Sequence, residues 1–271
     1  IYIITLFLFL IIIKIVNPSL VQKISFINYD FYQKVFNRGE VQNVTIIDID
    51  EKSIAKIGQF PWRRDIYSKI LNNLNQFNPS AIAFDIVFSE EDKQNPQDLL
   101  LKLQKESDQL ISAKVLNTNK IFIDSISKSK VILPVLGEPN DNFVENNSKP
   151  KLKIITKGEN AKNFLYSYKN KIISLEEINN VASGIGAISL IPNIDGIIRN
   201  IPLLYNIDNQ IWPSLALEAI RIATNQKNLL VQSDKSGISV IKTRKDVFPG
   251  DQNGIINIKY NKFDKENYIS A

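Results

Sequence analysis

The stretch that decides the fold is VTIIDIDEKSIAKIGQFPWRRDIYSKIL at residues 44–71, followed by AIAFDIVFSEED at residues 81–92. Its first seven residues, 44–50, are a short β-branched run bounded by polar residues, which predicts a strand. Asp50 has the side chain of a helix N-cap, and Gly58 is a typical stop signal. The sequence therefore predicts a strand followed at once by a short helix.

A second helix and a second strand follow Pro61. Apolar residues recur there at helical spacing until Asn78, and a proline comes next. Residues 81–88 are near-continuously apolar, as expected of a parallel strand that is covered on both faces. Strand, helix and strand over this length predict a right-handed βαβ unit.

The rest of the chain predicts further strands and one buried helix. Residues 131–135 form a third candidate strand. Residues 184–191 and 197–207 flank a Pro-Asn-Ile-Asp-Gly turn, which predicts a hairpin. Residues 214–223 predict a helix that is apolar on most faces and therefore buried. Short alternating strands follow. The predicted fold class is α/β, with a mixed β-sheet and flanking helices.

The N-terminal residues are apolar enough to suggest a membrane. Residues 1–16 begin with thirteen residues that are apolar except for one threonine, whereas a full span needs about 20. We expect this segment to be part of an N-terminal transmembrane helix; the alternative is a helix buried in a core. Residues 17–40 predict an amphipathic linker helix. Residues 41–271 predict an extracytoplasmic sensor domain, with an insertion-like segment at 95–128.

Composition excludes several kinds of site. The chain has no cysteine and no histidine, so thiol nucleophiles, cysteine zinc sites and histidine proton relays are excluded. The net charge of +5 comes from scattered lysines, without the arginine stripe and interleaved aromatics that indicate nucleic-acid binding. We therefore expect no nucleic-acid partner and no cofactor.

Three carboxylates are candidate ligand-binding groups. Asp48 and Asp50 lie two apart on one predicted strand, so they share a face, and Asp85 lies towards the end of the next strand. Ligands of open α/β sheets settle at the carboxyl ends of strands. The three could bind a divalent cation or a cationic ligand. The alternative is that Asp50 caps the helix while Asp48 and Asp85 pair with Arg63 or Arg64.

Trp62 and Arg64 are the other candidates. They follow the proline between the two predicted helices and could line a pocket for an anionic or aromatic ligand. Trp62 is equally able to fill the core, and this is the interpretation that its size favours. A structural interpretation also applies to Arg199, which could reach Asp195.

The order of motifs resembles the second family of CHASE domains, which are sensory domains found outside the membrane in cyclases and histidine kinases. The two stretches quoted above are followed, in the same order, by VILPV (131–135), IPNIDGIIRNIPLLYN (191–206), WPSLALEAIRIA (212–223), GIINIKYN (254–261) and YISA (268–271).

The resemblance implies a bacterial receptor. Residues 17–271 would lie on the periplasmic or extracellular side of the cell membrane. They would sense an unknown small molecule or protein and act through a cytoplasmic cyclase or histidine kinase absent from this chain. A homodimer is expected because such outputs usually act in pairs, and the sensor is not itself an enzyme. Two alternatives are a membrane-anchored, metal-dependent phosphoester hydrolase that uses the three aspartates, and an adaptor domain that binds a partner without a small ligand.

Overall fold

A computed structural model of the chain describes residues 2–16, 19–36, 43–107, 115–140, 148–260 and 264–271. In this part of the chain, eight α-helices and fifteen short strands form a mixed α/β fold, as predicted. The helices are α1 (Tyr2–Val16), α2 (Ser19–Val35), α3 (Glu51–Ile57), α4 (Arg64–Asn75), α5 (Pro96–Ser107), α6 (Thr118–Ser127), α7 (Glu176–Val181) and α8 (Leu215–Ala223). The strands are β1 (Ile46–Asp48), β2 (Ile82–Ala83), β3 (Val131–Glu138), β4 (Lys153–Gly158), β5 (Tyr166–Tyr168), β6 (Asn170–Ile173), β7 (Gly184–Ala187), β8 (Asn200–Pro202), β9 (Leu204–Ile207), β10 (Gln210–Pro213), β11 (Asn228–Asp234), β12 (Gly237–Lys242), β13 (Val247–Phe248), β14 (Ile255–Asn257) and β15 (Tyr268–Ser270).

The chain divides into two compact units. The first consists of Ile1–Asp48, Pro192–Arg199 and Ile258–Ile269, and the second contains the remaining residues. Helices α1 and α2 belong to the first unit, as do β1 and the first two residues of β15. The predicted boundaries of the linker helix, at 16/17 and 40/41, involve residues that lie outside the described ones.

Helix α1 occupies most of the segment predicted to be part of a transmembrane helix. Nearly all its apolar side chains are exposed, from 38% at Ile11 to 90% at Tyr2. Fifteen residues rise about 22 Å, less than the roughly 30 Å of a bilayer core. Among the described residues no helix is both long and apolar enough to cross a membrane. The prediction of a transmembrane helix is therefore not supported.

The second unit holds a mixed central sheet. Strand β3 pairs in parallel with β2 and β7 and antiparallel with β6. A second sheet has the order β13-β12-β11-β4, a third the order β10-β9-β5, and β14 pairs with β8. The predicted βαβ unit is wrong, because β1 pairs with β15 and β2 with β3. The chain between the parallel strands β2 and β3 instead contains α5 and α6.

The predicted hairpin around residues 192–196 is also wrong. The turn itself forms, with the Gly196 N–H donating to the Asn193 carbonyl at 2.8 Å, but β7 pairs with β3 and β8 pairs with β14. All four residues of β7 are buried, which suits a strand inside a sheet. A Cβ at Gly186 would lie 2.5 Å from the Leu215 Cα, so glycine lets α8 approach this strand closely.

The largest aromatic cluster of the second unit lies around helices α4 and α6. It includes Trp62, Tyr67, Phe88 and Phe122, all at most 7% exposed. Phe122 belongs to α6, within the segment 95–128 that was predicted to be insertion-like. This part of the segment therefore contributes to the core, and it helps to surround the site described next.

Candidate functional site

Asp50 caps helix α3, as the structural alternative predicted. Its Oδ1 accepts the Ser53 N–H at 2.8 Å and the Ser270 hydroxyl at 2.7 Å. The hydrogen bond from Ser270, followed by the backbone bond from Ser53, lowers the pKa of the Asp50 carboxyl. This carboxylate is therefore already engaged in holding the start of α3 and the segment around Ser270.

Asp48 and Asp85 are exposed, and Asp85 lies two residues beyond β2. Across the described ranges, no three acidic side chains gather into a group that could hold a metal ion. The predicted alternative, in which these aspartates pair with Arg63 or Arg64, is not seen either. Arg63 instead binds Asp65, with Nε–Oδ1 at 2.6 Å and Nη2–Oδ2 at 2.9 Å.

Trp62 belongs to the core. Its side chain is 7% exposed, and its indole N–H donates to the Gly58 carbonyl at 2.7 Å. Its ring lies 6.3 Å from that of Tyr67, centroid to centroid. The peptide bond between Phe60 and Pro61, just before Trp62, is cis. The structure thus places Trp62 beside the site as a packing residue.

Arg64 is the most unusual of the predicted site residues. It begins α4 and is 5% exposed. Its guanidinium carbon lies 5.0 Å from the centre of the Phe88 ring and 5.9 Å from that of Phe122, close enough for cation–π attraction. Nη2 donates to the Glu90 carbonyl. Nη1 is buried without a hydrogen-bond partner among the described residues.

The charge of Arg64 is buried without a contacting carboxylate in the part of the chain that is described. Burial lowers the pKa of its guanidinium, and the negative charge of Asp92 is the largest opposing influence. Glu177 and Glu91 contribute weaker attractions. Since a buried donor without an acceptor costs about 1–3 kcal/mol, and more when charged, Arg64 is suited to take an acceptor from a ligand.

Asp92 is a residue of this site that the sequence analysis missed. Its Oδ2 accepts the Arg64 N–H at 2.9 Å and the Thr118 hydroxyl at 2.7 Å. It thereby caps α4, for which Arg63 supplies no side-chain cap, and ties the segment that carries Glu90 to the start of α6. The only sequence signal was the run Ser-Glu-Glu-Asp after a predicted strand.

The first unit contains a separate charged cluster, the Arg199 cluster, formed by Arg199, Asp30, Asp195 and Phe26. Arg199 is 5% exposed and binds Asp30 through Nε–Oδ1 at 2.8 Å and Nη2–Oδ2 at 2.7 Å. Nη1 donates to Asp195 Oδ1 at 2.9 Å, as predicted. Phe26 lies 4.5 Å beneath the guanidinium. The cluster fixes α2 to the turn at residues 192–199.

The cluster predicts a pH dependence. The hydrogen bonds of Arg199 are the largest influence on Asp30, and they lower the pKa of its carboxyl. Because folding lowers the pKa of Asp30, its ionised form stabilises the folded state fully at pH values above the ordinary aspartate pKa of about 3.9. This stabilisation is lost as the pH falls through the lowered pKa. We expect carbon-detected NMR titration of Asp30 to give a midpoint below that value. In Arg199→Gln the midpoint should rise towards it, and an unchanged midpoint would contradict the assigned cause.

Comparison with known protein families confirms the resemblance that the order of motifs indicated. The CHASE2 domain family matches residues 4–271. No curated protein and no solved structure matches the chain. Because the family match covers nearly all residues, including α4, the Arg64 site and the Arg199 cluster, the chain belongs to the CHASE2 domain family, a family of extracellular sensory domains.

Proposed function

We propose that this chain is the sensor of a membrane-anchored bacterial receptor, that it recognises a carboxylate-bearing signal at Arg64, and that it is not an enzyme. The observation that carries the proposal is the Nη1 donor of Arg64, which is buried, cationic and without a partner among the described residues. A ligand carboxylate would give this donor an acceptor and the cation a counter-ion.

The surrounding charges define the kind of anion. Asp92, Glu177 and Glu91 already attract Arg64, and the same carboxylates repel an incoming anion. Repulsion grows with the charge of the ligand, so the site favours a singly charged carboxylate over phosphate. Binding would compete with the Glu90 carbonyl for the guanidinium, and this competition would release the segment around Glu90.

Thermal unfolding in the presence of small anions tests this proposal. We expect at least one monocarboxylate to stabilise the chain, by about 2.7 kcal/mol at a hundredfold excess over its dissociation constant. Sodium chloride at equal ionic strength is the control. If no monocarboxylate stabilises the chain beyond that control, the proposed signal class is wrong.

The response to binding would reach α2 through the chain. Residues 192–199 belong to the first unit, whereas the residues on both sides of them belong to the second. Arg199 joins this segment to Asp30 of α2. A ligand shifts such a system only through different affinities for two conformations. We propose that the shift is passed from α2 to a cyclase or histidine kinase output.

We also propose that α1 inserts into the cell membrane, with residues 17–271 on the periplasmic or extracellular side. The exposed isoleucine, leucine and phenylalanine side chains of α1 are poorly suited to water and well suited to hydrocarbon. This anchor would hold the chain at the membrane.

Vesicle flotation tests the anchor. We expect the chain to float with liposomes, and Leu8→Arg to reduce partitioning by roughly 100-fold, because a central arginine costs about 2.5–3.5 kcal/mol. Val247→Arg is the matched control, since Val247 is 69% exposed in the second unit. Equal flotation of the two variants would contradict the anchor.

A further inference from the structure

Two exposed carboxylates accompany the buried cation of the Arg64 site. Glu91 and Glu177 are exposed, and both are among the groups whose negative charge acts on Arg64. Neither has an ion-pair partner within the described ranges. These carboxylates are therefore available to a cationic group, at the same site where Arg64 offers a donor to an anionic one.

Backbone hydrogen bonds hold the start of α7 beside the Arg64 guanidinium. The guanidinium carbon lies 5.0 Å from the centre of the Phe88 ring. The Phe88 carbonyl accepts the Leu175 N–H at 2.9 Å, and the Phe88 N–H donates to the Ser174 hydroxyl at 3.0 Å. Leu175 is the residue just before α7, so Glu177 lies in the first turn of that helix. The fold thus places Glu177 next to the residue against which Arg64 packs.

The segment that contains Glu91 also supplies the present partner of Arg64. The Glu90 carbonyl accepts a hydrogen bond from Nη2, whereas Nη1 has no partner among the described residues. A carbonyl oxygen also accepts hydrogen bonds from an ammonium group. A ligand that brings a carboxylate to the guanidinium and an ammonium to this carbonyl would replace one hydrogen bond by two charge-assisted ones. A simple carboxylate would leave the carbonyl without its donor.

We propose that the signal recognised at Arg64 is an α-amino acid. Its carboxylate binds the guanidinium, and its ammonium binds the Glu90 carbonyl and the carboxylates of Glu91 and Glu177. This inference rests on the proposed recognition of a carboxylate at Arg64 and names the class of molecule. The ammonium offsets the repulsion that the acidic side chains exert on a simple anion. One carbon separates the two charged groups of the ligand, which suits a donor and an acceptor that now bind each other.

Thermal unfolding with matched probes tests the ligand class. The probes are phenylalanine, leucine and alanine, because the rings of Phe88 and Phe122 beside the guanidinium suit apolar side chains. Each is compared with the acid that lacks its amino group (3-phenylpropanoate, 4-methylpentanoate or propanoate) and with the amine that lacks its carboxyl group (2-phenylethylamine, 3-methylbutylamine or ethylamine). We expect at least one amino acid to bind about tenfold more tightly than either analogue, because each analogue loses one charged contact.

Two carboxylate variants test the ammonium contact. Glu91→Gln and Glu177→Gln each neutralise an exposed side chain, so the chain should still fold. We expect each variant to bind the amino acid about threefold less tightly, and its acid analogue equally or more tightly, because an attraction and a repulsion are lost together. Glu176→Gln is the matched control, since Glu176 is exposed in the same first turn of α7 and is not among the main influences on Arg64. It should change neither affinity.

The outcomes distinguish this inference from the proposed function. Acid analogues that stabilise the chain as well as the amino acids do would overturn the ammonium contact and leave carboxylate recognition at Arg64 intact. If only the amines stabilise the chain, or if no probe does so beyond the sodium chloride control, both are overturned. An equal loss of amino-acid binding in Glu176→Gln and Glu177→Gln also contradicts the assigned contact.

Discussion

Replacing Arg221 by methionine is expected to destabilise the second unit by about 3–5 kcal/mol, because it leaves a buried carboxylate without its partner. Glu218 is fully buried. Arg221 binds it through Nε–Oε2 at 2.7 Å and Nη2–Oε1 at 2.6 Å, and Nη1 donates to the Gln226 carbonyl at 2.6 Å. These bonds hold α8 and the residues just after it, and the variant would remove them all.

Denaturant unfolding followed by tryptophan fluorescence measures this loss, since Trp212 is fully buried. The control is the double variant Glu218→Leu/Arg221→Met, which removes both charges. It should recover at least half of the lost stability, because replacing a buried pair with apolar residues is often neutral. A single variant that costs under about 1 kcal/mol would contradict the structural role of this pair.

Local signals in the sequence predicted local structure well. Asp50 and Gly58 bound α3 as the capping pattern indicated, and Ser214 caps α8 next to Pro213. Strand β3 begins at the predicted residue, Val131. For the two helices the determining interaction joins residues that are close in sequence. Such interactions can be read from side-chain type and spacing alone.

Pairings over long sequence separations could not be predicted in the same way. Strand β1 pairs with β15 at the far end of the chain, and nothing in a three-residue strand specifies so distant a partner. Asp30 meets Arg199 across 169 residues. For the same reason strand order in the sequence suggested a joint site of Asp48, Asp50 and Asp85, whereas no group of three acidic side chains that could hold a metal ion exists among the described residues.

The buried charges were also hard to read from periodicity. Helix α8 was predicted to be apolar on most faces, yet Glu218 and Arg221 lie inside it as an ion pair. A pair spaced three residues apart satisfies itself within one turn, so burial needs no distant partner. Arg64 differs, because its bonds go to the backbone of a segment 26 residues away.

Replacing Arg64 by methionine is expected to abolish stabilisation by monocarboxylates while leaving the ligand-free chain within about 1 kcal/mol of the original. Arg64 has a donor without a partner among the described residues. Replacing Arg64 therefore removes a buried charge, and this gain in stability offsets the loss of the hydrogen bond to the Glu90 carbonyl. Arg221, in contrast, has a partner for each terminal nitrogen.

The two methionine variants thus form a matched pair, since each replaces a buried arginine on a helix of the second unit, Arg64 on α4 and Arg221 on α8. Thermal unfolding with and without the stabilising monocarboxylate measures both the stability of each variant and its ligand-induced shift. Arg64→Lys is a further variant that keeps the charge. We expect Arg64→Lys to retain part of the ligand-induced shift, because charge attraction persists while the geometry of the guanidinium is lost. If Arg64→Met instead costs as much stability as Arg221→Met, or keeps the full shift, Arg64 is a structural cation and the signal binds elsewhere.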